Sequence, residues 1–301
     1  MTGVRYPHRM RACTTLAILL LLATGVAAQS NVGVEIDEVS DNRVNAGGFV
    51  GQLGLRVKLT GSGLDKASAA RIIVKDARDD RGTVLDDGSG DKPDFVGREY
   101  NNGTLNISVH QPARAASTVR LKGLVELYAP ARDPGAVVKV PKGLSKLDAP
   151  LSASGLKAAK LTITPLSKAG YAERMKARKL DDTKIAEIRA EGKKHGVSDE
   201  EIDKMIELAK AMEGLETEPA EGLIVLSGKK SDFDRIYRIE ILGDDGKPID
   251  VGSRSTSSRG DDSIMTLQPS QPAPANAALQ FFILTDKARL SFPFELKVTL
   301  P

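Results

Sequence analysis

The strongest constraint on the fold is a strict alternation of apolar and other residues at the carboxyl end of the sequence. The apolar members are Leu290, Phe292, Phe294, Leu296, Val298 and Leu300. Because successive side chains of a strand point to opposite faces, this pattern predicts a half-buried strand, and Pro293 within it favours a bulge or an edge position. Similar alternation occurs in segments 32–36, 53–59, 105–109, 119–127 and 237–241. Short alternating strands separated by Gly, Pro and Asp predict antiparallel β-sandwiches.

One stretch, from Leu180 to Met212, has a helical period instead. Asp182 or Thr183 can begin a first helix, which Gly192 and Gly196 weaken and end. Ser198 and Glu201 form a capping box that begins a second helix. Its apolar residues follow the spacing of one helix face: Ile202, Met205, Ile206, Ala209 and Met212. We expect an amphipathic helical hairpin whose apolar stripe packs on an adjacent sheet, with binding of a partner as the alternative.

The hairpin separates two β-rich regions. We predict a mainly β protein with two antiparallel immunoglobulin-like β-sandwich domains, at 29–168 and 219–301, and a helical hairpin insertion at 169–218 between them. Both regions carry an Asp-rich turn after an apolar strand, at Asp79–Asp80 and at Asp244–Asp245, followed by a proline-led strand entry. This shared order suggests an internal duplication, although such turns also recur by chance in β proteins.

Residues 1–28 have the three features of a cleavable signal peptide. Arg5, Arg9 and Arg11 precede an uncharged apolar run at 15–26, and small residues lead to a cleavage position after Ala28. The run is shorter than the ~20 residues that a membrane-spanning helix needs. The sequence therefore predicts a secreted or periplasmic protein with no membrane span after cleavage.

Removal of this leader changes the composition that bears on partners. The leader contains three of the 43 basic residues and no acidic residue, so the mature chain has 40 of each sign. This balance argues against a nucleic-acid partner. Cys13 is lost with the leader, which leaves no thiol for a disulfide or a metal. The absence of Trp argues against stacking on sugars, so we expect a protein and not a glycan as the unidentified macromolecular partner.

The mature chain contains few residues of the types that catalysis uses. His110 and His195 occur in no metal or nucleophile motif, and we expect no enzyme activity. The runner-up interpretation is a hydrolase that uses carboxylates near Asp79–Asp91 or at Asp244–Asp245. A further alternative is a calcium-stabilised structural module; no other cofactor is expected. The candidate calcium ligands are the hard oxygen donors of one loop: Asp79, Asp80, Asp87, Ser89 and Asp91. Asp side chains also favour turns without any metal.

The polar stretch 252–263 is interpreted as a loop suited to display. It contains Arg259–Gly260–Asp261, a tripeptide that integrins bind but that also consists of three common loop residues. These observations together favour an exported, non-enzymatic β-sandwich protein, a binding or structural module of the cell envelope or extracellular space.

Overall fold

The computed structural model describes residues 32–43, 51–90, 92–97, 103–178, 182–213 and 221–301. The predicted signal peptide, at 1–28, lies outside these ranges. In the described ranges, no helix has both the length and the apolar character that crossing a membrane requires. The fold is mainly β, with several antiparallel sheets, as the alternating patterns predict.

The strands of the described residues number sixteen in chain order. They are β1 Val32–Asn42, β2 Gln52–Gly61, β3 Ala69–Asp79, β4 Val84–Asp86, β5 Val96–Gly97, β6 Thr104–His110, β7 Thr118–Tyr128, β8 Val137–Val140, β9 Thr164–Leu166, β10 Ile224–Lys229, β11 Ile236–Leu242, β12 Pro248–Ile249, β13 Val251–Arg259, β14 Asp262–Pro269, β15 Ala278–Ile283 and β16 Arg289–Thr299. Every alternating segment of the sequence lies in one of them, except that Leu300 follows the end of β16.

The α-helices of the same ranges are fewer and mostly consecutive. They are α1 Ser154–Ala158, α2 Lys168–Arg178, α3 Asp182–Lys194, α4 Asp199–Glu213 and α5 Lys230–Phe233. Short 3₁₀ turns occur at Leu64–Lys66, Pro130–Arg132 and Pro134–Ala136.

The first two sheets enclose one hydrophobic core, and we call them the N-terminal sheet pair. One sheet has the order β1-β2-β6, and the other has the order β16-β7-β3-β4, with β5 also paired to β3. Leu53, Leu55 and Val57 of β2 face Val119, Leu121 and other buried residues of the second sheet in this core. Pro293 lies in β16 at the edge of its sheet, where its missing N–H breaks no ladder hydrogen bond, as the sequence predicts.

The other two sheets enclose a second core, and we call them the C-terminal sheet pair. Their orders are β12-β11-β15-β8 and β13-β14-β10-β9. Buried residues of this core include Leu226, Ile241, Met265, Leu279 and Phe281, which come from strands of both sheets.

The two sheet pairs exchange strands. β8 follows β7 along the chain but pairs with β15, whereas β16 follows β15 but pairs with β7. Each sheet pair therefore receives one strand from the other half of the sequence. The pairing of β8 with β15 and of β16 with β7 joins the predicted regions 29–168 and 219–301. The division of the chain into domains stays a prediction.

Apart from this exchange, the two halves follow the same order. β1, β2 and β6 correspond to β9, β10 and β14 in one sheet, while β4, β3 and β7 correspond to β12, β11 and β15 in the other. Two of the described strands, β5 and β13, have no counterpart in this correspondence, and each follows the strand that ends its sheet, β4 or β12. The matched order agrees with an internal duplication.

The helical region contains the two long helices that the sequence predicts, but these helices lie within one sheet pair and not between the two. α3 and α4 lie at the predicted positions, and the Ser198 hydroxyl and the Glu201 carboxylate make the predicted capping box. α2 precedes them and was not predicted. All three helices are inserted between β9 and β10, which are neighbours in one sheet, and so interrupt the C-terminal sheet pair.

The apolar stripe of α4 contacts the neighbouring helix more than a sheet. Ile202 is buried and lies so close to Gly192 of α3 that a Cβ at Gly192 would be 2.7 Å from the Ile202 Cδ1. Met205, another residue of the stripe, is 60% exposed. The sequence predicts packing of this stripe on a sheet. In the structure the two long helices pack mainly on each other instead, because they are inserted beyond the ends of β9 and β10.

Candidate functional site

Asp79, the first predicted calcium ligand, is committed to the backbone of its own loop. It is 6% exposed at the end of β3. One carboxylate oxygen accepts hydrogen bonds from the N–H groups of Arg81 (2.9 Å) and Thr83 (2.8 Å), and the other accepts from Ala113 N–H (2.8 Å). Desolvation acts to raise the pKa of Asp79, but these backbone hydrogen bonds together outweigh it and hold the pKa below its usual range. The carboxylate therefore organises a turn.

The other predicted ligands make similar local contacts. Asp80 accepts from the Ser117 hydroxyl (2.6 Å), and Asp87 accepts from Ser89 N–H (2.9 Å). Asp91 lies outside the described residues. Within the described part of the chain, no three His, Cys, Asp or Glu side chains are grouped as a metal ion requires. The calcium loop stays a prediction.

The second carboxylate pair of the hydrolase interpretation lies in the turn between β11 and β12. Asp245 accepts a hydrogen bond from Lys247 N–H (3.0 Å) and is exposed. The histidines are exposed as well: His110 ends β6, and the His195 Nε2 lies 2.9 Å from a Glu191 carboxylate oxygen near the end of α3. The contacts of these side chains are those of turns and helix ends.

Asp79→Asn is expected to lower the free energy of unfolding by about 1–3 kcal/mol at pH 7, because the amide nitrogen cannot accept a hydrogen bond from a backbone N–H. The folded-state pKa of Asp79 is lowered, so its stabilisation is present above the unfolded pKa of about 4 and is lost as the pH falls through the folded value. Urea unfolding at pH 7 and at pH 3 measures the effect.

The difference between the wild type and Asp79→Asn should thus shrink in acid. Asp245→Asn is the matched control, since that exposed carboxylate accepts one hydrogen bond in a comparable turn. A difference that stays constant between pH 7 and pH 3 would contradict the assigned role of Asp79.

Side chains from both sheet pairs also meet where the N-terminal sheet pair contacts the C-terminal sheet pair. Phe95, Tyr128 and Tyr237 form an aromatic cluster, with ring centroids 5.2 Å apart for Tyr128 and Tyr237 and 6.3 Å apart for Phe95 and Tyr128. Tyr128 ends β7 and is fully buried, and its hydroxyl donates to the Ala136 carbonyl. Tyr237 belongs to β11. The cluster fastens the N-terminal sheet pair to the C-terminal sheet pair.

Arg71 of β3 lies beside this cluster. Its guanidinium donates twice to one Glu126 carboxylate oxygen, at 2.8 and 2.6 Å, and lies 4.4 Å from the centre of the Phe95 ring. The side chains of Arg71 and Glu126 are only 11% and 10% exposed. The remaining guanidinium nitrogen donates to the Pro93 carbonyl (3.2 Å), which holds the segment before β5 against β3. These contacts hold the Arg71 side chain in one position.

Two cavities of about 920 and 490 Å³ adjoin between the sheet pairs, and we call them together the basic groove. They share Arg71, Asp94, Asp234 and Leu284. The basic side chains that line the groove are Arg71, Lys92, Lys230, Arg235, Arg254 and Arg289. The acidic ones are Asp94, Asp234 and Asp286. Positive charge is therefore concentrated here, although the sequence from residue 29 onwards contains equal numbers of acidic and basic residues.

Several of these cations keep hydrogen-bonding capacity. Lys230 and Arg289 pair with Asp234 and Asp286, at 3.0 and 2.6 Å. Lys92 and Arg235, in contrast, make no side-chain hydrogen bond or ion pair with the residues that the structure describes. An anion that entered the groove would find donors that no other described side chain engages.

β13 forms one side of the groove. Arg254 and Thr256 line the smaller cavity, and Arg254 donates to the Tyr237 carbonyl (3.1 Å). The Arg254 residue as a whole is exposed, but the surroundings of its guanidinium are crowded enough that desolvation lowers its pKa, against the opposing effect of Asp94. β13 and β14 form a β-hairpin, and α2 contacts its turn end, where Arg174 and Arg178 pair with Asp262.

The groove and its strand were missed at the level of sequence. The stretch 252–263 was interpreted as a loop, but it contains most of β13, a two-residue Gly260–Asp261 turn and the start of β14. Arg259–Gly260–Asp261 thus spans a hairpin turn. The available signal was this Gly–Asp pair, which is typical of tight hairpins. The basic residues of the groove gave no signal, because they are scattered from position 71 to position 289.

A third cavity, of about 780 Å³, shares Tyr237 with the basic groove and has a mixed lining that includes Leu59, Leu64, Lys58 and Asp65. Three charged residues line it, Lys58, Asp65 and Arg238, against nine in the basic groove, so the basic groove is the stronger candidate for a charged ligand. No protein-family model, no curated protein and no solved structure matches this chain.

Proposed function

We propose that this chain is an exported, non-enzymatic protein that binds another protein in the basic groove. The observation that carries the proposal is the concentration of six basic side chains between the two sheet pairs, with Lys92 and Arg235 free of partners among the described residues. Electrostatic complementarity of this kind directs the orientation and specificity of association.

The architecture supports a rigid site. The reciprocal exchange of β8 and β16 and the aromatic cluster both resist separation of the sheet pairs. Rigid backbone walls lower the entropy that binding costs, and the exposed side chains of Lys92 and Arg235 are the groups that have to be ordered on association. The groove is therefore suited to a partner that binds without large rearrangement.

We further propose that each sheet pair is an immunoglobulin-like sandwich. A three-stranded sheet of order β1-β2-β6 against a sheet of order β4-β3-β7-β16 resembles the two sheets of such domains, with β16 in the place of their last strand. The C-terminal sheet pair has the same arrangement, with β8 as its last strand. The predicted leader at 1–28 supports a location in the periplasm or outside the cell.

The function is tested by site-directed photo-crosslinking in the organism that produces the protein. A photoreactive amino acid at Thr256, which lines the groove, is expected to give a covalent adduct with another protein. The same amino acid at Lys139, an exposed residue of β8 outside the groove, is the matched control. The exported protein should begin at Gln29 by mass spectrometry.

Equal adducts at Thr256 and Lys139, or no adduct at Thr256, would count against a binding role for the groove. Retention of the full leader in the exported fraction would count against cleavage after Ala28.

A further inference from the structure

β13 differs from every other long strand of the described fold in its exposure. Residues 252–258 are all exposed, on both faces of the strand. β13 pairs with β14 on one side only and lies at the end of its sheet, so its other edge has no strand partner among the described residues. Exposed edge strands can pair with another chain, and proteins usually protect them.

The register of the hairpin shows which backbone groups reach the free edge. Arg259 and Asp262 flank the two-residue turn, and Gly260 has the positive φ of 59° that such a turn requires. In an antiparallel hairpin of this kind the flanking pair exchanges hydrogen bonds, and alternate pairs do the same. The N–H and C=O groups of Arg254, Thr256 and Ser258 therefore point away from β14, towards the free edge.

The side chains of Arg254 and Thr256 lie on the groove side of the strand. Arg254 and Thr256 are opposite Leu267 and Met265, whose side chains belong to the core of the C-terminal sheet pair. Arg254 and Thr256 also line the smaller cavity of the basic groove. The free backbone groups and the basic side chain of Arg254 consequently lie along the same edge, beside the smaller cavity of the basic groove.

We propose that β13 binds an extended acidic segment of a partner protein by strand addition, with the acidic side chains of that segment directed into the basic groove. Strand addition accounts for the free backbone groups, since main-chain hydrogen bonds supply affinity in this mode and side-chain sites supply specificity. Charge complementarity selects the acidic character, because the larger cavity, which adjoins the one that β13 lines, adds four bases and one acid to the two bases and two acids of the smaller cavity. Alternate residues of an added strand face the same side, so the acidic residues should be spaced two apart. The proposal rests on the binding function proposed above and specifies the class of partner.

The test measures binding of a fluorescent nine-residue peptide of alternating Glu and Thr, the length of β13, to the mature chain in low-salt buffer. Binding is expected, and it should weaken by about tenfold or more when Gln replaces Glu or when alternate peptide nitrogens are methylated. Methylation leaves the charge unchanged and removes the donors that a strand ladder needs.

Two variants of the protein test the same contacts from the other side. Thr256→Pro removes the outward N–H while it leaves the ladder with β14 intact, and it should weaken binding by about tenfold. Thr256→Val is its matched control and should bind as the wild type does, because it keeps the N–H. Arg235→Glu should weaken binding to a similar extent, whereas Lys139→Glu, outside the groove, should have little effect.

Equal affinity for the methylated and unmethylated peptides would overturn strand addition, and this comparison needs no variant to fold. Equal affinity for an oligothymidylate of the same charge would show a general polyanion surface and would also overturn the proposal. If the acidic peptide fails to bind while Thr256 still crosslinks to a partner, strand addition of an acidic segment is excluded and the binding function stands.

Discussion

A chain that ends at Lys287 is expected to lose the fold of its N-terminal sheet pair, although the deleted strand lies at the opposite end of the sequence. β16 pairs with β7 over eleven residue positions, from Arg289 opposite Tyr128 to Thr299 opposite Thr118. Val298 and Leu300 are buried in the N-terminal core, and four further apolar residues of the strand pack against it: Leu290, Phe292, Phe294 and Leu296.

The expected effect is large because several apolar contacts disappear together. Complete burial of one such side chain contributes about 1.5–3 kcal/mol, and natural domains are stable by only about 5–15 kcal/mol. Loss of the strand also exposes the edge of β7. Hydrogen exchange of the amides in β2, β3 and β7 measures the result, and these amides should lose their protection.

The control removes a larger segment elsewhere. A chain in which a short Gly–Ser linker replaces α3 and α4, residues 182–213, should keep both sheet pairs, because these helices pack mainly on each other. Native protection of β7 in the chain that ends at Lys287 would show that β16 is dispensable and that the exchange does not stabilise the fold.

Tyr128→Ala should destabilise the protein by about 3–5 kcal/mol, as expected for removal of a buried aromatic side chain. Tyr128 is fully buried and contacts Phe95 and Tyr237, so its loss leaves a cavity where the two sheet pairs meet. Tyr128→Phe keeps the ring and removes only the hydrogen bond to Ala136, and it should cost about 1 kcal/mol. Urea unfolding of the three proteins separates the ring from the hydroxyl.

The same residue predicts a response to alkaline pH. Burial raises the pKa of Tyr128 above its usual value of 10. The stabilisation is therefore complete below pH 10 and is lost as the pH rises, because the unfolded state ionises first. Tyr128→Phe should be less sensitive between pH 9 and pH 11. An identical alkaline response of the two proteins would contradict the assigned burial of the Tyr128 hydroxyl.

The local elements followed from the sequence because their signals are local. Alternation depends on neighbouring side chains and placed β16 and β2, while the capping box at Ser198 and Glu201 placed the beginning of α4. β13 escaped because it has no core-facing apolar residue in 252–258, so its strand period left no hydrophobic trace. α2 was not predicted, although Tyr171 and Met175 have the four-residue spacing of one helix face.

The candidate site could not be predicted in the same way. Its parts come from β3, the segment before β5, β11 and β13, and no spacing along the sequence joins Arg71 to Arg254. The carboxylates that the sequence singled out are instead occupied with turns, as Asp79 shows. Asp is favoured in turns for this reason, and a linear pattern does not distinguish the two uses.

The sequence by itself determined the strands with alternating patterns, the two long helices and the mainly β character, because each depends on contacts within one element. Only the tertiary structure decided that β16 completes the first sheet pair and β8 the second, since strand partners are chosen by packing between distant segments. The basic groove depends on the same long-range packing, because its lining residues come from both sheet pairs. Charges that are balanced along the chain become concentrated where the exchanged halves meet, and no property of a single segment records where that will be.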